Sequence, residues 1–347
     1  MRPGFFFLLN IAIALVTVLL YYSPHVPPSE LWIAAFLPML IPAFIILNLI
    51  FVIFWLFKYW QRSLLSLLVV LAGYNYITRA FAFSFKNGDS GGLKVISYNV
   101  RVFNVYAHLQ DENQNSSRKM INWLSSSGAD VLCLQEFYDH KSSKVYNSME
   151  RIGKAYPYSF SVPFLTQPNA MFGMVIFSKL PVVNTGILRF KERSNNQIIY
   201  ADILYQKDTV RIYNMHLQSM ALEEKDFSLA DGKWRDLMRK VRAGSVQRTA
   251  QIKALLDHIN LCPYPVILAG DLNDTPYSYS YQAIKKPLRN AFEKAGRGLG
   301  FSYKSRLPLR IDHQFASPEL EIKRFITHKE VTYSDHFPLE GVYSMDK

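Results

Sequence analysis

Residues 264–273 read YPVILAGDLN, an apolar and partly β-branched run that stops on Gly270, Asp271 and Asn273. Its length and composition are those of a buried strand closed by polar residues. The same shape recurs in LKVISYN ending at Asn99, ADVLCLQE ending at Glu136 and VRIYNMH ending at His216. RIDHQF carries Asp312, and YSDHFPLEGVY carries Asp335 and His336. A sheet protein collects such strand ends on one rim. Carboxylates, amides and imidazoles gathered there are partly desolvated, which is costly unless they pair or hold a metal. A metal site is the economical reading.

Composition divides the chain before any motif does. Residues 1–90 hold Arg2, Lys58, Arg62, Arg79 and Lys86 against Glu30 and Asp89, so they carry only +3 of the +12 formal charge. The remaining +9 falls on residues 91–347, a length that suits one large α/β or two-sheet domain with a sizeable core.

The first part reads as a membrane anchor over residues 1–85. Phe5–Tyr22 is free of charge, and Leu31–Phe57 is apolar except for Pro38, Pro42 and Asn48; both are long enough to span a bilayer. The prolines read as a kink within a span. Leu64–Phe85 is a third candidate, a span or an interfacial helix, because Tyr74, Asn75, Tyr76 and Arg79 dilute its second half. The first segment reads as an uncleaved helix: LLYYSPHVPPSE follows its core, with tyrosines where cleavage needs small residues. Arg2, Lys58 and Arg62 flank the spans while Ser23–Glu30 has no basic residue, so the N-terminus and second loop are expected in the cytoplasm. Three spans then put the C-terminal domain outside the cytoplasm, in a multi-pass cell-membrane protein; two spans would leave it inside.

FKNGDSGG at 85–92 reads as the linker, with the domain running over 93–347. Cys133 and Cys262 lie in or beside apolar strands, where reduced thiols are expected. Ser219–Ala250 is long and charged, and leads into RTAQIKALLDHI, whose Ile252, Leu255, Leu256 and Ile259 have helical spacing. It reads as one or two helices with a solvated face, or alternatively as a basic lip for phosphate-rich substrate or anionic lipid.

ISYNV, DVLCLQE, MVIFSKLPV, IYNMHL, ILAGDLND, RIDHQF and SDHFPL, in this order from about Leu93 to Tyr343, resemble the endonuclease/exonuclease/phosphatase superfamily. This is the group of metal-dependent phosphoesterases that includes relatives of deoxyribonuclease I, apurinic endonucleases, neutral sphingomyelinases and inositol polyphosphate 5-phosphatases. GDLN and SDH are the most specific pair. The resemblance implies an α/β fold, a four-layer α/β/β/α sandwich of two packed mixed sheets, here preceded by transmembrane helices. It implies Glu136 as principal Mg2+ ligand with Asn99 beside it and Asp335 contributing to the metal region, Mn2+ being a possible substitute. Asp271 and Asn273 would orient the attacking water and contact the phosphate. His336 would act on the nucleophile or the developing phosphorane charge, with Asp312 as its partner, and His216 would be the second histidine of the deoxyribonuclease I and sphingomyelinase branches. The apurinic endonuclease branch has an Asp two residues after the early Asn; this chain has Arg101, which argues against abasic-site chemistry.

The chemistry stands on the residue types as well. Phosphodiester hydrolysis needs an in-line water, a base and neutralisation of charge on the phosphoryl oxygens, and hard oxygen ligands suit Mg2+. Taken singly, each residue has a bland reading: Asn99, Asp271 and Asn273 as turn residues, Glu136 as a strand-end charge, His216 as a core histidine. Together and in order they point to a site, read as that of a membrane-anchored Mg2+-dependent phosphodiesterase; a phospholipid head group is the candidate substrate because the anchor would hold the site near head groups. A tethered nuclease and a catalytically silent binding domain are the alternatives. Helices without intramembrane acids or bases exclude a transporter.

Overall fold

The polar-ended runs form the inner strands of two mixed sheets. The computed structural model describes residues 3–84, 91–108, 114–190, 195–220, 233–305 and 308–345. Most of the expected linker, and Glu223, Glu224, Lys225 and Asp226, lie outside them. The described chain forms two units: residues 3–81 with 233–250 and 275–283, together with Met220, and residues 82–219, 251–274 and 284–345.

The first unit is helical. It contains α1 (Pro3–Tyr22), α2 (Ile41–Leu56), α3 (Trp60–Ala72) and α4 (Tyr74–Ala80). Gly4–His25 and Leu37–Leu56 are long and apolar enough to cross a membrane. Leu31–Phe57 is not one kinked helix: two short 3-10 turns precede α2, and Pro42 sits in its first turn, where the missing N–H costs nothing. Leu64–Phe85 is not one helix either. α3 and α4 meet at 60° and are long and apolar enough to cross a membrane only as a pair. Gly73 occupies the break, and a Cβ there would meet Tyr21 Oη at 2.1 Å, so the bend makes room for that ring.

Polar contacts order these helices. Asn10 Nδ2 donates to Ser66 Oγ at 2.6 Å, Asn48 Nδ2 to Thr17 Oγ1 at 2.7 Å and Tyr21 Oη to the Val69 carbonyl at 3.2 Å. Arg62 lies 4.9 Å over the Phe7 ring, and Tyr21 stacks on Tyr76 at 4.9 Å. Along α1 the partners thus advance from residue 62 to residue 76, so α1 and the α3–α4 pair run in the same direction. Buried interhelical hydrogen bonds of this kind are the usual adhesive where packing partners are all apolar.

The second unit contains β1 (Ala82–Phe83), β2 (Leu93–Asn99), α5 (Val105–His108), α6 (Asn115–Ser126), β3 (Val131–His140), α7 (Ser148–Gly153), β4 (Tyr158–Thr166) and β5 (Ala170–Ser178). Then follow β6 (Val182–Leu188), β7 (Gln197–Tyr205), β8 (Asp208–His216), the end of α8 (Lys233–Asn260), β9 (Val266–Asp271) and α9 (Tyr279–Lys285), which begins in the first unit. The chain closes with β10 (Arg289–Asn290), α10 (Ala291–Ala295), β11 (Arg297–Gly298), β12 (Asp312–Ala316), β13 (Leu320–Thr327) and β14 (Leu339–Met345). One six-stranded sheet has the order β13-β14-β2-β3-β5-β4, the other β10-β12-β9-β8-β7-β6, and β1 pairs with β11. The β2–β3 and β8–β9 pairs are parallel and the others antiparallel.

Period-two alternation builds the layers. Val131 and Cys133 of β3 join Ile212, Ile267 and Ala269 of the other sheet in one core, while Leu132 and Leu134 face Met120, Ile121 and Leu124 of α6 in a second. The arrangement is the expected α/β/β/α sandwich. Buried amides stitch the sheets: Gln135 Nε2 donates to Asn214 Oδ1 at 2.6 Å, and Gln314 Nε2 to the Leu339 carbonyl at 2.9 Å.

Gly270 is required by the backbone. Its φ is +136°, and a Cβ would stand 2.1 Å from the Met215 carbonyl of the neighbouring parallel strand. Gly270→Ala should therefore lower stability by more than about 1 kcal/mol, read as a reduced thermal midpoint; an unchanged midpoint would show that β9 tolerates a side chain there.

Candidate active site

Strand register lines up the polar ends. Asp312 of β12 faces Asp271 of β9, and Asp271 faces His216 of β8, so the three stand side by side on adjacent strands. All are buried. In the other sheet Asn99 ends β2 opposite Gln135, and Glu136 follows at a β-bulge that shifts the β3–β5 register between Leu134 and Phe137.

The backbone around these residues is strained. Glu136 and Asn273 have φ of 49° and 54°, and Arg101–Asn104 after Asn99 are left-handed throughout, including β-branched Val102. Left-handed geometry costs a residue with a Cβ roughly 1–2 kcal/mol, and among the described non-glycine residues only Gln206 adopts it away from the site. The bulge turns Glu136 toward the acids, and its side chain is 32% exposed while that of Asp271 is 2% exposed. Glu136 forms the open mouth.

Asn99 Nδ2 donates to Glu136 Oε1 and to Asp271 Oδ2, both at 3.2 Å, while its Oδ1 accepts the Arg101 N–H at 3.1 Å. The backbone bond sets the amide orientation, with nitrogen toward the carboxylates. His216 Nε2 lies 3.8 Å from Glu136 Oε1 and 3.9 Å from Asp271 Oδ2. His336 Nδ1 is 2.8 Å from Asp312 Oδ2, which leaves Nε2 free to stand 4.0 Å from Asp271 Oδ2.

Asn273 is tied to both neighbouring strands' ends. Its N–H donates to Asp271 Oδ1 at 2.8 Å and its Nδ2 to the Leu217 carbonyl at 2.9 Å, so it closes an Asx-type turn that aims Asp271. Asp335 is held by Arg101 Nε at 3.3 Å and accepts from Ser334 Oγ at 3.2 Å. The expected metal set was Asn99, Glu136 and Asp335; the tight group of potential ligand atoms among the described residues is Asp271, Asp312 and His336, all within 4.8 Å of one another.

Burial and mutual charge push the protonation states apart. Burial, then the charge of Asp312, raises the Asp271 carboxyl to about 7 against the pull of His336. Burial disfavours a charged His336, but Asp312, by charge and hydrogen bond, and Asp271 overturn that and lift the imidazole to about 10. Burial lowers His216, with Glu136 opposing. Carboxylates packed this closely, with Arg101 drawn off to Asp335, suit a hard divalent cation: its charge would relieve their repulsion, and their oxygens match its preference.

Several contributors were not among the expected site residues. Ser302 Oγ accepts the Ile311 and Asp312 N–H groups, at 3.1 and 3.0 Å, and so fixes the start of β12. The Tyr303 ring stands 4.9 Å from that of His336. Ser334 Oγ donates to the Asn99 carbonyl at 2.9 Å and ties the SDH turn to β2. Only Ser334, inside the SDH run, was open to detection by its neighbours.

Residues 96–336 match the Endonuclease/Exonuclease/phosphatase family, and the chain belongs to it. Members of that family are phosphoesterases and nucleases that generally depend on divalent metal. Residues 4–80 match a domain of unknown function. Among curated proteins none matches the chain. The fold is shared with an endonuclease/exonuclease/phosphatase from Beutenbergia cavernae, at 16% identity and TM-score 0.54 over 74% of this chain and 72% of that one. It is also shared with the mannosyl-6-phosphatase Bt3783 of Bacteroides thetaiotaomicron, at 17% identity and TM-score 0.51 over 73% of this chain and 100% of that one. Humanized D. rerio TDP2 matches at 17% identity and TM-score 0.53, over 74% and 100% of the two chains.

In the metal-free protein the histidine rings should titrate apart. His336 should stay protonated until pH approaches about 10, while His216 should be neutral at pH 7. Because the folded value of His336 lies above the ordinary 6.5, its stabilising contribution is complete below that pH and is lost as pH rises through about 10. Asp312→Asn should bring its titration down markedly, as followed by imidazole nitrogen NMR. A His336 that titrates alike in both proteins would remove Asp312 as its partner.

Proposed function

We propose that the chain is a membrane-anchored, Mg2+-dependent phosphodiesterase acting on a phospholipid head group. The observation that carries the reading is the row Asp312, Asp271, His216 with His336 beside it: buried acids and imidazoles with divergent protonation on one sheet rim. Apolar helices of bilayer length in the same chain favour a lipid substrate.

The residues divide the work by their environments. His336, held protonated by Asp312, directs Nε2 into the site as a donor to the charge that develops on the phosphoryl oxygens. Asp271, with its carboxyl raised, accepts the proton of the attacking water as the new P–O bond forms; the ester P–O bond opposite breaks, and its oxygen leaves as an alcohol after taking a proton from solvent. Neutral His216 offers Nε2 to a phosphoryl oxygen without adding fixed charge. Glu136, at the open mouth, would hold the cation, with Asn99 beside it keeping its amide nitrogen on the Glu136 and Asp271 carboxylates. The bound Mg2+ would supply Lewis-acid neutralisation of a phosphoryl oxygen. Asp335, paired with Arg101, acts through the charge it adds near His336.

Three crossings are the topology that best fits the helical unit. α1 and the α3–α4 pair run in the same direction, so Pro3 and Ala80 belong to opposite ends of it. Arg2, Lys58 and Arg62 then mark the cytoplasmic end, and the chain from Ala82 onward emerges on the other side of the cell membrane.

The full chain with Mg2+, assayed against sphingomyelin, glycerophospholipids, inositol phosphates, DNA and RNA, tests the assignment. Head-group release is expected; cleavage of nucleic acid alone would replace the reading with a tethered nuclease. His336→Ala and Asp271→Ala should each reduce turnover by about 10²–10⁴ with the fold retained, and wild-type turnover in either would remove that residue from the chemistry. Glu136→Gln should instead raise the Mg2+ concentration for half-maximal activity.

For topology, a reporter active only in the cytoplasm, fused after Lys347, should be silent, and one active only outside should work. A working cytoplasmic reporter would contradict three crossings.

A further inference from the structure

We propose a second contact with the bilayer: the first half of α8 is a docking surface for anionic lipid head groups, formed by Arg235, Arg239 and Arg242 with Trp234. The proposal rests on the membrane-spanning reading of the apolar helices. The three arginines are spaced i, i+4, i+7 and so share one helix face; all are exposed, Arg239 by 78% of its side chain. Trp234 beside them is 46% exposed, under the Arg235 guanidinium at 5.4 Å. The one acid in Trp234–Ala250 is Asp236, whose 2.9 Å pair with Arg239 is itself solvent-exposed and worth little. It does not cancel the stripe.

The second observation places the stripe at head-group depth. Arg242 lies 5.9 Å from the Trp32 ring centroid, and Trp32 belongs to the short connection between α1 and α2. That connection exposes Leu31, Trp32 and Ile33 by 47, 39 and 40%. Between two spans it sits at the membrane–water boundary, where tryptophan is favoured. Basic residues there are attracted by anionic lipid, by about a factor of five in binding for each. A nucleic acid would meet the arginines but would leave the exposed apolar connection without a partner.

The test is amide hydrogen exchange over Trp234–Ala243 in the full chain, reconstituted into vesicles of phosphatidylcholine alone or with phosphatidylglycerol. Exchange should be about tenfold slower in the anionic vesicles. The difference should vanish at high salt and in the Arg235→Gln, Arg239→Gln, Arg242→Gln variant; Arg235→Gln alone should show part of the loss. Equal exchange in both vesicles, in a chain that alkaline carbonate does not extract, would overturn the docking and leave the spanning reading intact. A chain that carbonate releases would overturn both. Slowing by a single-stranded oligonucleotide and not by phosphatidylglycerol would overturn the choice of lipid.

Discussion

Asp271 and Asp312 face each other across one antiparallel rung, both almost without access to water. Two bare carboxylates in that position repel each other, and the surrounding structure is organised around relieving this. His336 answers Asp312 with a 2.8 Å bond, and Asp271 accepts both the Asn273 N–H and the Asn99 amide. What remains is the raised carboxyl of Asp271, the mark of a repulsion that its neighbours relieve only in part.

Relief works only if the two sheets keep their registration, because Glu136 and Asn99 come from one and the Asp271 row from the other. The buried amides provide it. Gln135 immediately precedes Glu136, and Asn214 lies two residues before His216, so their 2.6 Å bond fixes the mouth carboxylate relative to the second histidine. Asn214 also donates to the Leu134 and Val175 carbonyls, both at 3.0 Å. A pair of apolar side chains in these positions would fill the space, yet it would let the sheets slide; the hydrogen bonds have one geometry.

The strands were legible because buried β-branched runs with polar ends have few alternative readings, and the register then followed from the parallel and antiparallel pairings. The residues of the acid and histidine row were legible for the same reason. Their posture was not: Asn273 as a turn former, Asp335 as a partner of Arg101 and the reversed amide of Asn99 depend on backbone contacts that no local pattern encodes. Ser302 and Tyr303 lie in an irregular stretch with neither period nor motif, and Gly73 breaks an apolar pattern whose continuity reads as one helix. Hydropathy reports which segments leave water; it is silent on the ring of Tyr21 that needs the space at Gly73.

Strain and charge at the site point the same way. Six left-handed residues with side chains, Arg101–Asn104, Glu136 and Asn273, border the acids, and each costs stability. The sandwich core must offset both this and the buried like charges, which it does with the unbroken apolar packing of Val131, Cys133, Ile212, Ile267 and Ala269. A ligand that binds the folded site and not the unfolded chain returns part of that cost by mass action. A divalent cation, on which members of the family generally depend, would act this way by screening the Asp271–Asp312 rung. A site assembled this way is least stable when empty and gains stability from any ligand that only the folded chain can bind.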